Sequence, residues 1–77
     1  MNEPLFHAKI RTSTEIVTDT LEDARGDKYE VEIEVTVMDG LVIDYVVVKG
    51  DQMESDDFHA VLKSAGYDSS EINFKSR

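Results

Sequence analysis

The sequence predicts a two-layer α+β sandwich of order strand, helix, strand, strand, helix, strand, with two helices on one face of a four-stranded antiparallel sheet. Three observations lead there. Residues 29–37, Tyr-Glu-Val-Glu-Ile-Glu-Val-Thr-Val, alternate apolar and polar without a fault, the period of a half-buried strand. Residues 41–48, Leu-Val-Ile-Asp-Tyr-Val-Val-Val, are apolar on both faces except at Asp44, as expected inside a sheet. Phe58, Val61, Leu62 and Ala65 then recur at helical spacing as one apolar stripe.

Taken in order, the first element is a strand from Leu5 to Ile10, begun just after Pro4. Phe6, Ala8 and Ile10 alternate there with His7, Lys9 and Arg11. The next stretch carries two signals. Its β-branched residues favour a strand, which would carry the first one on to about Thr18. Thr12 with Glu15 fits a capping box, however, and Ile16, Val17, Thr20, Leu21 and Ala24 form a helical stripe closed by Arg25 and Gly26. A helix over residues 13–25 is the expectation.

The two central runs form a hairpin around Met38-Asp39-Gly40. A two-residue Asp39-Gly40 turn would place Val37 opposite Val42 and Val35 opposite Asp44, bringing a carboxylate onto the apolar face. A three-residue turn pairs Val37 with Leu41, Val35 with Ile43, Ile33 with Tyr45 and Val31 with Val47, keeping that face apolar. Burial selects the second register, although Glu34 then faces Asp44. Asp51 and Ser55 are the capping candidates for the second helix, with Asp56 and Asp57 in its first turn and Lys63 in its last. Gly66 ends it, and Tyr67 folds back in a Schellman ending. Residues 71–75 alternate as a short last strand with Ile72 and Phe74 inward.

This order fits the split βαβ arrangement of the ferredoxin-like sandwich, in one α+β domain over residues 1–77. In that topology the first and third strands are central and the second and fourth are edges. The third strand is the one apolar on both faces, and the second carries an acidic face. A fold of this kind hosts unrelated functions, so function has to be read from the side chains.

Cysteine is absent, which removes disulfides and thiolate metal sites. No apolar run approaches the ~20 residues of a membrane span, and the N-terminus lacks the regions of a signal peptide. A cytoplasmic protein is expected. The net charge of −9 is uneven: residues 12–48 hold ten carboxylates against Arg25 and Lys28. Such a surface disfavours direct contact with nucleic acid or an anionic membrane. Solubility alone is the bland explanation of that charge.

No arrangement of catalytic groups emerges. His7 and Asp44 sit on strands expected to be neighbours, but no nucleophile lies beside them, and a solvated strand histidine explains His7. His59 lies between Asp56 and Lys63 on what reads as an exposed helix face. Asp51, Glu54, Asp56 and Asp57 do not match a calcium loop, and the last two are explained by the helix start. No phosphate-cradling, nucleotide, zinc or RNA-binding motif is present. No catalytic, cofactor or metal site is expected.

The face away from the helices would carry Glu30, Glu32, Glu34, Asp44, Val42, Val46 and Val48. The leading expectation is a non-catalytic regulatory or inhibitory module that offers carboxylates to a basic protein partner. Its partner-binding residues are Glu30, Glu32, Glu34, Asp44, Glu22 and Asp23. Like-facing carboxylates stand about 6.6–7 Å apart along a strand, close to the spacing of successive phosphates. The partner would then be a nucleic-acid-handling protein met by a DNA mimic. The alternative is a homodimeric ligand-sensing or structural domain that pairs open faces through Val42, Val46 and Val48.

Overall fold

A computed structural model describes residues 12–75. It contains strands β1 (Thr12–Glu22), β2 (Lys28–Met38) and β3 (Leu41–Lys49), followed by helix α1 (Ser55–Ser64). The strands form one antiparallel sheet in the order β1-β2-β3, and α1 packs on one face of it. The expected ferredoxin-like sandwich is therefore corrected: among the described residues the α+β fold has three strands and a single helix. The strand expected over Leu5–Ile10 lies outside the described residues.

The helix expected over residues 13–25 is instead β1. Six of its eleven residues are β-branched, and such side chains lose χ1 freedom in a helix while suiting a pleated surface. Extended backbone sends Ile16 and Val17, which a helix would have kept on one stripe, to opposite faces. Val17 is buried and Ile16 is 54% exposed. Gly26 does adopt positive φ, but it serves a hairpin loop over residues 23–27. Asp23 organises that loop, its Oδ1 accepting the amides of Arg25 at 2.9 Å and Asp27 at 3.0 Å.

The β2–β3 reversal also differs from the expected register. Asp39 (φ 53°) and Gly40 (φ 82°) are both left-handed, so the turn has two residues and Met38 opposes Leu41. Val37 then faces Val42, as a two-residue turn requires. The carboxylate that should follow onto the apolar face is diverted by a β-bulge. Ile43 is the extra residue, Asp44 opposes Thr36, and Tyr45 rather than Asp44 faces Val35. A second irregularity at Val48 brings Lys49 opposite Glu32. The expected like-charge pair of Glu34 and Asp44 does not form, because Val46 faces Glu34.

Strand positions are corrected as well. The acidic strand, β2, is central, and the strand apolar on both faces, β3, borders the described sheet. Asp68 adds a single parallel bridge to Leu41, its carbonyl accepting Val42 N–H at 2.8 Å. The last stretch, residues 71–75, is irregular and not a strand. Phe74 is nevertheless buried and stacks on Phe58, with ring centroids 4.2 Å apart and 11° between planes. Tyr45 closes the aromatic group at 4.8 Å from Phe58.

The core lies between the inner face of β2 and α1. Val31, Ile33, Val35 and Val37 meet Phe58, Val61 and Leu62, with Met53 and Val42 enclosed beside them. Neither Asp51 nor Ser55 is the N-cap of α1; Glu54 occupies that position and makes no side-chain capping bond. Asp56, Asp57 and Lys63 sit where the helix dipole favours them. The C-terminus is a full Schellman motif: Tyr67 N–H donates to Leu62 and Gly66 N–H to Lys63, at 3.0 and 2.9 Å. No helix among the described residues is long and apolar enough to cross a membrane.

Gly50 makes the tightest demand in the fold. Its φ is +82°, and a Cβ there would collide with Val31 Cγ1 and lie 2.9 Å from the Glu30 carbonyl. Gly66 has φ +93° with open space around it. Gly66→Ala should therefore cost about 1 kcal/mol, the backbone effect alone. Gly50→Ala adds overpacking and should cost about 2–4 kcal/mol. Urea unfolding of the two variants measures the difference.

Candidate functional site

The face of the sheet opposite α1 is uncovered by any described element. Antiparallel pairing fixes its rows. Ile16, Glu34 and Val46 form one row, Thr14, Thr36 and Asp44 the next, and Thr18, Glu32 and Lys49 the one on the other side. Thr20 and Glu30 follow. In each bulge two residues of β3 oppose one of β2, so Ile43 joins Asp44 and Val48 joins Lys49 on this face. Ile16, Val46 and Val48 are each more than half exposed (54, 56 and 52%), and Ile43 is 42% exposed. Large aliphatic side chains thus alternate with carboxylates across one surface.

Five of the six expected partner-binding residues lie in the rows of this face, Glu30, Glu32, Glu34 and Asp44 together and Glu22 at its end. Their environments differ. Glu30 pairs with Lys49 Nζ at 3.6 Å. Asp44 Oδ1 accepts its neighbour Tyr45 N–H at 2.9 Å. Glu34 and Glu32 are half-buried, and neither forms an ion pair among the described residues. Val42 is fully buried on the inner face, so the trio expected to pair open faces loses that member. Ile16 takes its place, a residue the helical reading had assigned to the core.

Glu22 and Asp23 lie at the end of the sheet, Glu22 opposite Lys28 in the last row of this face and Asp23 in the loop beyond it. With Glu54, Asp56, Asp57 and Tyr29 they line a shallow acidic groove at the end of the sheet. Partial burial raises the pKa of the Tyr29 phenol, and the charges of Asp57, Asp23 and Glu54 raise it further. Asp23 is also committed to its loop, its other oxygen lying 3.6 Å from Arg25. No cluster of three or more histidine, cysteine or acidic residues among the described residues could hold a metal ion.

His59 is corrected from an exposed helix position to a half-buried one. Its Nδ1 shares a 2.6 Å hydrogen bond with Ser69 Oγ, and its ring meets Phe58 edge-on at 5.3 Å. Ser69 is 7% exposed and is the buried polar residue of the described chain. Nothing in the local sequence around Ser69 signals this pair. Beside it, hydrogen bonds from the hydroxyl and then the amide of Ser70 lower the pKa of the Asp68 carboxyl. A histidine and a serine in contact raise the question of acyl transfer. Here the hydroxyl is covered, and among the described residues the bond to Ser69 is the hydrogen bond that orients the ring, so the pair ties the segment after α1 to the helix.

No family model matches the chain, and neither a curated protein nor a solved structure is significantly similar to it.

Two outcomes check these environments. Ser69→Ala leaves His59 Nδ1 without its buried partner and should cost about 1–2 kcal/mol in thermal or urea unfolding. For Tyr29 the sign is set by a folded pKa above the unfolded one. Its contribution to stability is fully present below the unfolded pKa and is lost as pH rises through the folded pKa. Alkaline absorbance titration of Asp57→Asn should show the phenol ionising at lower pH than in the parent chain. It should remain raised, since burial is the larger cause.

Proposed function

We propose that this domain is a non-catalytic interaction module that docks a basic protein partner through the open face of its sheet. One observation carries the reading: a single face, covered by none of the described elements, presents exposed Ile16, Val46 and Val48 beside Glu30, Glu32, Glu34 and Asp44. Apolar side chains supply the area from which water is released, and carboxylates select the sign of the partner. The counter-charges among the face's paired residues are Lys28 and Lys49, fewer than its acids.

The same chemistry weighs against a second copy as the occupant. Face-to-face pairing would bring two acidic surfaces together, and like charges buried in an interface are costly. A nucleic-acid-handling protein remains one class of basic partner. Carboxylate spacing along β2 of about 6.6–7 Å supports it. Neutralisation of Glu30 by Lys49 and the aliphatic neighbours of Glu34 make the face less phosphate-like than its spacing alone.

The test needs both arms. Ile16→Ser with Val46→Ser, and Glu30, Glu32 and Glu34 reversed to lysine, should each abolish capture of the partner and leave circular dichroism unchanged. Capture of the parent domain should weaken with added salt, chiefly through slower association. Undiminished capture by both variants would sink the proposal.

A further inference from the structure

We infer that Glu34 is the anchoring carboxylate of the open face and that it receives an arginine side chain of the partner between Ile16 and Val46. The inference rests on the docking reading above and assigns the contact at its centre.

Glu34 lies on the central strand with Ile16 directly opposite on β1 and Val46 directly opposite on β3. Adjacent strands run about 4.8 Å apart, so the two aliphatic side chains stand about 10 Å from each other with the carboxylate between them. Both walls are more than half exposed, and the Glu34 residue between them is half-buried. Thr36 follows Glu34 on the same face of β2 and is paired with Thr14. Glu34 has no cation of its own among the described residues, whereas Glu30 already holds Lys49.

A carboxylate between two apolar walls selects among cations. Docking removes water from the walls and from the carboxylate together, so the incoming cation must tolerate desolvation. An ammonium is a compact, strongly hydrated charge and gives up that hydration at high cost. A guanidinium is more weakly hydrated, lies flat against aliphatic surface and matches a carboxylate with two parallel N–H donors. Its methylene stem adds apolar contact along the same walls. Glu30 meets a different requirement: a partner cation there would first displace Lys49, an exposed pair of small worth.

The probe is a pair of short peptides of identical pattern, one alternating arginine with valine and the other lysine with valine, titrated into the isotopically labelled full chain. The arginine peptide should perturb the resonances of Ile16, Glu34 and Val46 and bind about tenfold more tightly than the lysine peptide. Glu34→Gln keeps the side-chain shape and should weaken arginine-peptide binding about tenfold or more, against about twofold for Glu30→Gln. Equal binding of the two peptides at the face, or equal losses in the two variants, would overturn the arginine assignment and leave the docking reading standing. If neither peptide perturbs the face, the docking reading falls and takes the anchor with it. Perturbation of the same resonances by protein concentration alone assigns the face to a second copy and overturns both.

Discussion

With Asp39 and Gly40 both at positive φ, the β2–β3 reversal uses only two residues, and that fact places every side chain of β3. A turn this tight sets Val42 against Val37 and would carry Asp44 into the core two residues later. Burying that carboxylate unpaired would cost several kcal/mol. The bulge at Ile43 removes the conflict by adding one residue and changing the phase of the strand. Val42, Tyr45 and Val47 then face α1 and the inner face of β2, and the aromatic group around Phe58 depends on Tyr45 being there. The same shift turns Ile43 and Asp44 outward. Core and open face are two consequences of one bulge.

How much of this could be read from residues follows from what side chains report. Alternation along a strand describes the two faces of the sheet, which lie perpendicular to the hydrogen-bonding direction. Whether a strand is central or at the border depends on neighbours along that direction, to which side chains are largely indifferent. The inward row of β2 was therefore legible, and so were Phe58, Val61 and Leu62 of the stripe, the terminal charges and the Schellman ending of α1, although Ala65 is an exposed C-cap. The position of β2 in the sheet was not. Apolar residues on both faces of β3 look like a central strand, although one face packs on α1 and the other is open among the described residues.

Thr12–Glu22 failed for a different reason. Its helical stripe and its β-branched content are both genuine local signals, and pairing with β2 along the whole strand decides between them. Gly26 could not arbitrate, because a helix end and a hairpin loop both ask for positive φ. The misreading of this element also hid Ile16 from the candidate site. By contrast Glu30, Glu32, Glu34 and Asp44 were correctly gathered on one face, since alternation alone groups the first three. The bond between His59 and Ser69 joins two segments ten residues apart across the Schellman turn, and no periodicity marks such a contact.

Among the described residues a single short helix covers one side of the sheet, and the other side is left to be managed by chemistry. Exposed Ile16, Val46 and Val48 invite association with any apolar surface, and β3 adds a border on which further strands could pair. Carboxylates interleaved with them counter both tendencies, because copies of the chain meeting face to face bring like charges together. That repulsion is selective by sign. On the proposed reading it disfavours self-association and leaves the same aliphatic area to a cationic partner. Acidity that served solubility alone could lie anywhere on the surface. Here Glu34 is set between the two exposed aliphatic residues of its own row, the placement from which the proposed selection of a cationic partner is argued.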